Sequence, residues 1–128
     1  MTEASAPARK LTTHQKAVLI QVLLAFPEQR VAIEHVEAGD AAAYARDFET
    51  IFNAVRWDVT QFGVVPASGV DGTVGLALVA SEKIKVPAGA EALRDALRIY
   101  GIEVETIFDA KREIAPGGFI LSVGAHPQ

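Results

Sequence analysis

Apolar and polar positions follow two rhythms along this chain, one of period two and one of helical period, and they alternate in a fixed order. Val31 to Val36 reads as a first strand, and Glu37-Ala38-Gly39-Asp40 as a turn ending in an N-cap aspartate. Over Ala41 to Arg56 the apolar residues Tyr44, Phe48, Ile51, Phe52 and Val55 recur at i+3 and i+4, while Arg46, Asp47, Glu49, Asn53 and Arg56 fall mostly opposite. That spacing predicts an amphipathic helix. Trp57 to Val65 then alternates as a half-buried strand, and Pro66 to Thr73 (PASGVDGT) is rich in turn residues and is expected to be an exposed loop.

The plan recurs. Val74 to Ala80 (VGLALVA) is apolar on both faces, as a central strand covered on both sides requires. Pro87 and Ala88 open a second helix with a stripe of Leu93, Ala96, Leu97 and Tyr100, and Gly101 ends it where a left-handed residue is wanted. Ile102 to Asp109 alternates again. A charged loop through Lys111, Arg112 and Glu113 leads to Pro116-Gly117-Gly118, and Phe119 to Val123 is the last strand. Laid over each other at an offset of 45 positions, Ala45–Val59 and Ala90–Val104 match without a gap: Phe48 on Leu93, Phe52 on Leu97, Val55 on Tyr100, Trp57 on Ile102 and Val59 on Val104. The same offset sets Val31-Ala32-Ile33 over Leu76-Ala77-Leu78. The sequence reads as an internal repeat of strand, helix, strand.

In front lies a helix with a different pattern. Thr12 and Gln15 form a capping box, Lys16 to Phe26 is apolar around most of its circumference, and Pro27 stops it. A helix of that kind is expected to lie over the second face of the sheet or in a subunit contact. The run is half of the roughly 20 apolar residues a membrane span needs. Arg9, Lys10 and Lys16 precede it as in a signal peptide, but Phe26-Pro27-Glu28 follows where a small-x-small cleavage site would stand, so a helix of the mature protein is expected. Residues 1–10 read as a disordered lead and 11–128 as a single α/β domain.

The predicted core is a βαββαβ mixed sheet with an extra N-terminal helix and a C-terminal strand. If the loop after Val65 makes a hairpin, strands two and three run antiparallel in a ferredoxin-like split βαβ arrangement. If strand three instead runs parallel to strand one, the sheet is a Rossmann-like doubly wound three-layer sandwich. The hairpin needs less chain and is preferred.

Composition narrows the function classes. Twelve basic against sixteen acidic side chains leave a net charge of −4, which argues against nucleic acid, whose phosphates need a basic face. The absence of cysteine excludes disulfides, thiol catalysis and Cys-ligated zinc. His14, His35 and His126 show no metal-ligand spacing, so no metal is expected. No G-x-G-x-x-G, P-loop or G-x-S-x-G is present, and no cofactor or catalytic residue is predicted.

The best-motivated ligand site is the carboxyl end of the strands that feed helices, where helix N-termini offer free N–H groups. There the first unit supplies His35, Glu37, Gly39 and Asp40, and the second Ser81, Glu82, Lys83 and Lys85. The two sets meet only in the doubly wound topology. In that case His35 and Lys83 would bind an anion; within the first set, His35 and Glu37 would exchange a proton.

The order VAIEHVEAGDAAAYARDFETIFNAVRWDV, VGLALVAS, LRDALRIYGIEV and a closing FILSVGAHP resembles a family of uncharacterised bacterial domains that often follow transmembrane helices. Its pattern is D-x-x-x-Y/F-A…L…GW-x-V with a closing I-x-V-G-x-x-P, here Leu121 to Pro127, and this chain carries Arg56 in place of the glycine before the tryptophan. The resemblance implies a soluble α/β module near a bacterial membrane, as the soluble part of a membrane-linked protein, and carries over no catalytic residue; the sequence leaves bacterial cytoplasm and membrane-proximal placement both open. Together these features lead to the expectation of a non-enzymatic binding or interaction module, with a homodimer or protein contact through residues 12–26 and no membrane span of its own. The alternative is a sensor or enzyme for a small anionic ligand at the strand C-termini.

Overall fold

A computed structural model describes residues 10–26, 29–37, 39–65, 75–80, 86–108, 114 and 118–124. Its elements are α1 (Thr13–Leu23), β1 (Arg30–Val36), α2 (Ala41–Ala54), β2 (Asp58–Val65), β3 (Leu76–Ala80), α3 (Ala88–Ile99), β4 (Val104–Phe108) and β5 (Gly118–Val123). The fold is α/β, with a five-stranded mixed sheet in the order β2-β1-β5-β3-β4. β1 pairs parallel with β2 and with β5, β3 pairs parallel with β4, and β3 runs antiparallel to β5.

The arrangement is consistent with a split βαβ plan in which β5 lies between the two βαβ units. The units run in opposite senses, as the hairpin topology requires, but β2 and β3 are not neighbours, because β1 and β5 stand between them. The doubly wound alternative falls away for the same reason: a strand antiparallel to β5 cannot be parallel to β1. β3 is buried along its whole length, as its unbroken apolar run demands. The turn-rich 66–73, the charged residues 111–113 before β5 and residues 1–9 of the lead lie outside the described residues.

One expectation is corrected. α1 does not cover the second face of the sheet; it touches both α2 and α3, so the three helices share one layer. Each unit's crossover is expected to be right-handed, and two such units in opposite senses set their helices on the same face. Leu19 and Leu23 of α1 join Phe48, Phe52, Leu93 and Leu97 in the core beneath. Burying each such side chain stabilises by about 1.5–3 kcal/mol.

α1 is held at both ends by the first unit. Its capping box forms, with Gln15 N donating to Thr12 Oγ1 and Thr12 N to Gln15 Oε1. Asp47 of α2 accepts from Leu11 N at 2.9 Å and pairs with Lys16 Nζ at 3.3 Å. Beyond the helix, Phe26 O accepts from Trp57 Nε1 at 2.7 Å. Ala77, Val79 and Ile120 are buried yet stand apart from the main core, because alternation turns them to the sheet's other face.

Candidate functional site

The carboxyl end of β1 brings together His35, Phe62 and Arg46. His35 and Phe62 lie on the helix side of neighbouring strands, with ring centroids 5.4 Å apart. Arg46, on α2 above them, places its guanidinium carbon 4.4 Å from the Phe62 centroid and its Nη1 3.0 Å from Glu49 Oε1. His35 Nδ1 stands 3.1 Å from the Val36 carbonyl. A carbonyl can only accept, so in this contact Nδ1 carries the hydrogen.

The other residues expected in this site are arranged less favourably. Glu37 is exposed, and no hydrogen bond or ion pair joins it to His35 among the described residues, so the two are not set up for proton exchange. Gly39 takes a left-handed turn conformation (φ +53°), and Asp40 occupies the N-cap position of α2 without a side-chain cap bond. Ser81 and Lys83 lie outside the described residues. β3, which precedes them, ends at Ala80 beside the start of β5, whereas His35 pairs with Val123 at the end of β5. The ends of β1 and β3 therefore point to opposite edges of the molecule. Among the described residues, no group of three His, Cys, Asp or Glu is placed to hold a metal ion.

A second place, which no motif singles out, lies at the opposite end of β1. The β1–β2 ladder slips there by one residue: Val31 pairs with Val59, but Ala32 pairs with Gln61, leaving Thr60 as a bulge. Bulges in parallel pairs are rare and often re-aim a side chain. Here the bulge borders a depression of about 50 Å³, lined by Arg30, Ala32, Thr60, Gln61, Ile114 and the first residues of β5. The signal was in the apolar spacing. Trp57 and Val59 keep odd numbers, Phe62 and Val64 even ones, so the alternation changes phase between 59 and 62.

Compared with protein-family models, curated proteins and solved structures, the chain matches none.

Proposed function

We propose that this protein is a binding module that associates through the outer side of α1, with a second copy of itself as the partner. The observation that carries this reading is the way α1 is displayed. It is clamped at Leu11, Lys16 and Phe26, yet Ala17, Gln21 and Leu24 form an outward line at i, i+4 and i+7, with Leu24 52% exposed. A rigid display of this kind lowers the ordering cost of association.

Charge favours a second copy in antiparallel register. Residues 10–26 contain no carboxylate, and their cations Lys10 and Lys16 sit at one end. Antiparallel crossing about a twofold axis sets those cations far apart and brings Leu24 of each helix over the middle of the other. The strip is short, since eleven helical residues span about 16 Å. It falls below the roughly 800 Å² per partner of a standard stable interface, so the dimer should be weak and concentration-dependent.

Light scattering behind size exclusion, over a concentration series into the high micromolar range, tests this directly. The expected result is a mass rising from monomer towards dimer, with Leu24→Glu holding the monomer at every concentration. A constant monomer mass in the unaltered protein, or association that survives Leu24→Glu, refutes the proposal. Among the described residues no helix is long and apolar enough to cross a membrane.

A further inference from the structure

The geometry points to the depression at the Thr60 bulge as a binding subsite for a small oxyanion, a carboxylate or phosphoryl group, gripped by Arg30. Three observations converge there. Arg30 is exposed at the first position of β1, and its guanidinium makes no ion pair or side-chain hydrogen bond among the described residues. Arg46 and Arg94, by contrast, are each engaged by a carboxylate of their own helix. The planar fork of an arginine matches an oxyanion in two-point geometry.

The bulge supplies the polar rim. By pairing Ala32 with Gln61 rather than with Thr60, the slip brings the Gln61 amide to the face that carries Arg30 and Ala32. Gln61 then adds neutral donors beside the cation. The Thr60 hydroxyl is 3.4 Å from the Val31 carbonyl, which positions it at the lip. On the far side Arg30 pairs with Gly118, which has no side chain to fill the hollow.

Size and lining set the ligand class. About 50 Å³ is room for a few waters, at roughly 10–15 Å³ each, and so for one charged group rather than a nucleotide. Ile114 and Ile120 make one wall apolar, which suits a carboxylate or phosphoryl carried on a short hydrocarbon stem. Within the β3–β4 pair the register is regular throughout, with no bulge, and Ala77 faces Glu105 where the first unit has Ala32 facing Gln61. The second unit thus places a carboxylate where the first places an amide; Asp58, which faces Arg30 across the β1–β2 ladder, makes no ion pair with it among the described residues.

The test is a titration of the ¹⁵N-labelled full chain with sodium acetate and, separately, sodium phosphate, holding ionic strength constant with sodium chloride. The expected result is saturable movement of the Arg30, Thr60 and Gln61 amide signals and of the Arg30 Nε–H. Arg30→Gln should weaken binding by roughly tenfold or more, the loss of a charge-assisted bond, while leaving distant signals in place because Arg30 is exposed. Saturation with acetate alone assigns a carboxylate ligand, with phosphate alone a phosphoryl ligand, and with both a general oxyanion subsite. Movement that rises linearly with either anion, that chloride reproduces, or that persists unchanged in Arg30→Gln overturns the assignment.

Discussion

The two βαβ units occupy equivalent places on either side of β5, yet they solve the same local problems with different residues. Each helix closes with the same pair of backbone bonds. In α2, Arg56 N donates to Asn53 O and Trp57 N to Phe52 O; in α3, Gly101 N donates to Arg98 O and Ile102 N to Leu97 O. This is the Schellman closure, which needs a left-handed residue just past the helix and an apolar contact behind it. Both needs are met in both units, but by Arg56 (φ +62°) and Trp57 in the first, and by Gly101 (φ +76°) and Ile102 in the second. The first unit thus accepts backbone strain and anchors it with an aromatic stack. The second avoids the strain and gets by with a smaller anchor.

The largest test of this contrast removes the anchors. Trp57 is buried, lies flat on Phe52 at 5.2 Å, meets the Phe119 edge at 6.0 Å and donates to Phe26 O. Trp57→Ala should cost about 3–5 kcal/mol in urea denaturation, by cavity formation and by orphaning the Phe26 carbonyl. Ile102 is only half-buried against the core, so Ile102→Ala should cost roughly 1–2 kcal/mol. Equal costs would show that the two closures do not differ in how they are anchored.

A smaller effect isolates the strain. Arg56 is exposed and pays the steric penalty of a left-handed side chain, so Arg56→Gly should raise stability by about 1 kcal/mol. The reciprocal Gly101→Ala should lower it by about 1 kcal/mol. A Cβ there would meet nothing within 4 Å, so the penalty is purely conformational. Equilibrium unfolding midpoints moving in the same direction for both variants would break the equivalence of the two closures.

Much of this is legible in the sequence. The apolar stripes of α2 and α3, the buried run of β3 and the Gly101 closure follow from spacing alone, because side-chain period reports directly on which face is dry. Strand order was not legible. β5 enters the middle of the sheet, and the pairing of Val31 with Phe119 or of Leu78 with Leu121 depends on long-range packing that no local pattern records. The place of α1 escaped for a related reason. Its apolar circumference matches a helix under a sheet as well as one wedged between two helices, and only the common direction of the crossovers decides. Of the candidate site, the sequence places His35 and Asp40 at the end of β1, but the pairing across to β3 depends on strand direction. The Thr60 bulge leaves a visible phase change in the sequence, whereas Arg30 beside it precedes the strand read from Val31 and belongs to no motif.

The subtlest difference between the units lies on the outer faces of their helices. Arg46 and Glu49 form an i, i+3 pair on α2; 45 positions on, Glu91 and Arg94 form the same pair on α3 with the signs exchanged. In each case the arginine reaches the following strand, Arg46 over the Phe62 ring and Arg94 Nη1 to Thr106 Oγ1 at 3.3 Å. Allowing for the bulge, Phe62 and Thr106 are matching positions. Exchanging the first pair, Arg46→Glu with Glu49→Arg, conserves charge and keeps the exposed ion pair, itself worth only about 0.2–0.5 kcal/mol. What it removes is the cation over Phe62. The double variant should therefore lose about 0.5 kcal/mol in urea denaturation, the value of an exposed cation–π contact, while the same exchange of Glu91 and Arg94 should lose about as much through the Thr106 bond. Stability gained by the first exchange would mean that the guanidinium introduced by Glu49→Arg covers Phe62 from the other end, as Arg94 covers Thr106. The two helices would then share one mechanism rather than two.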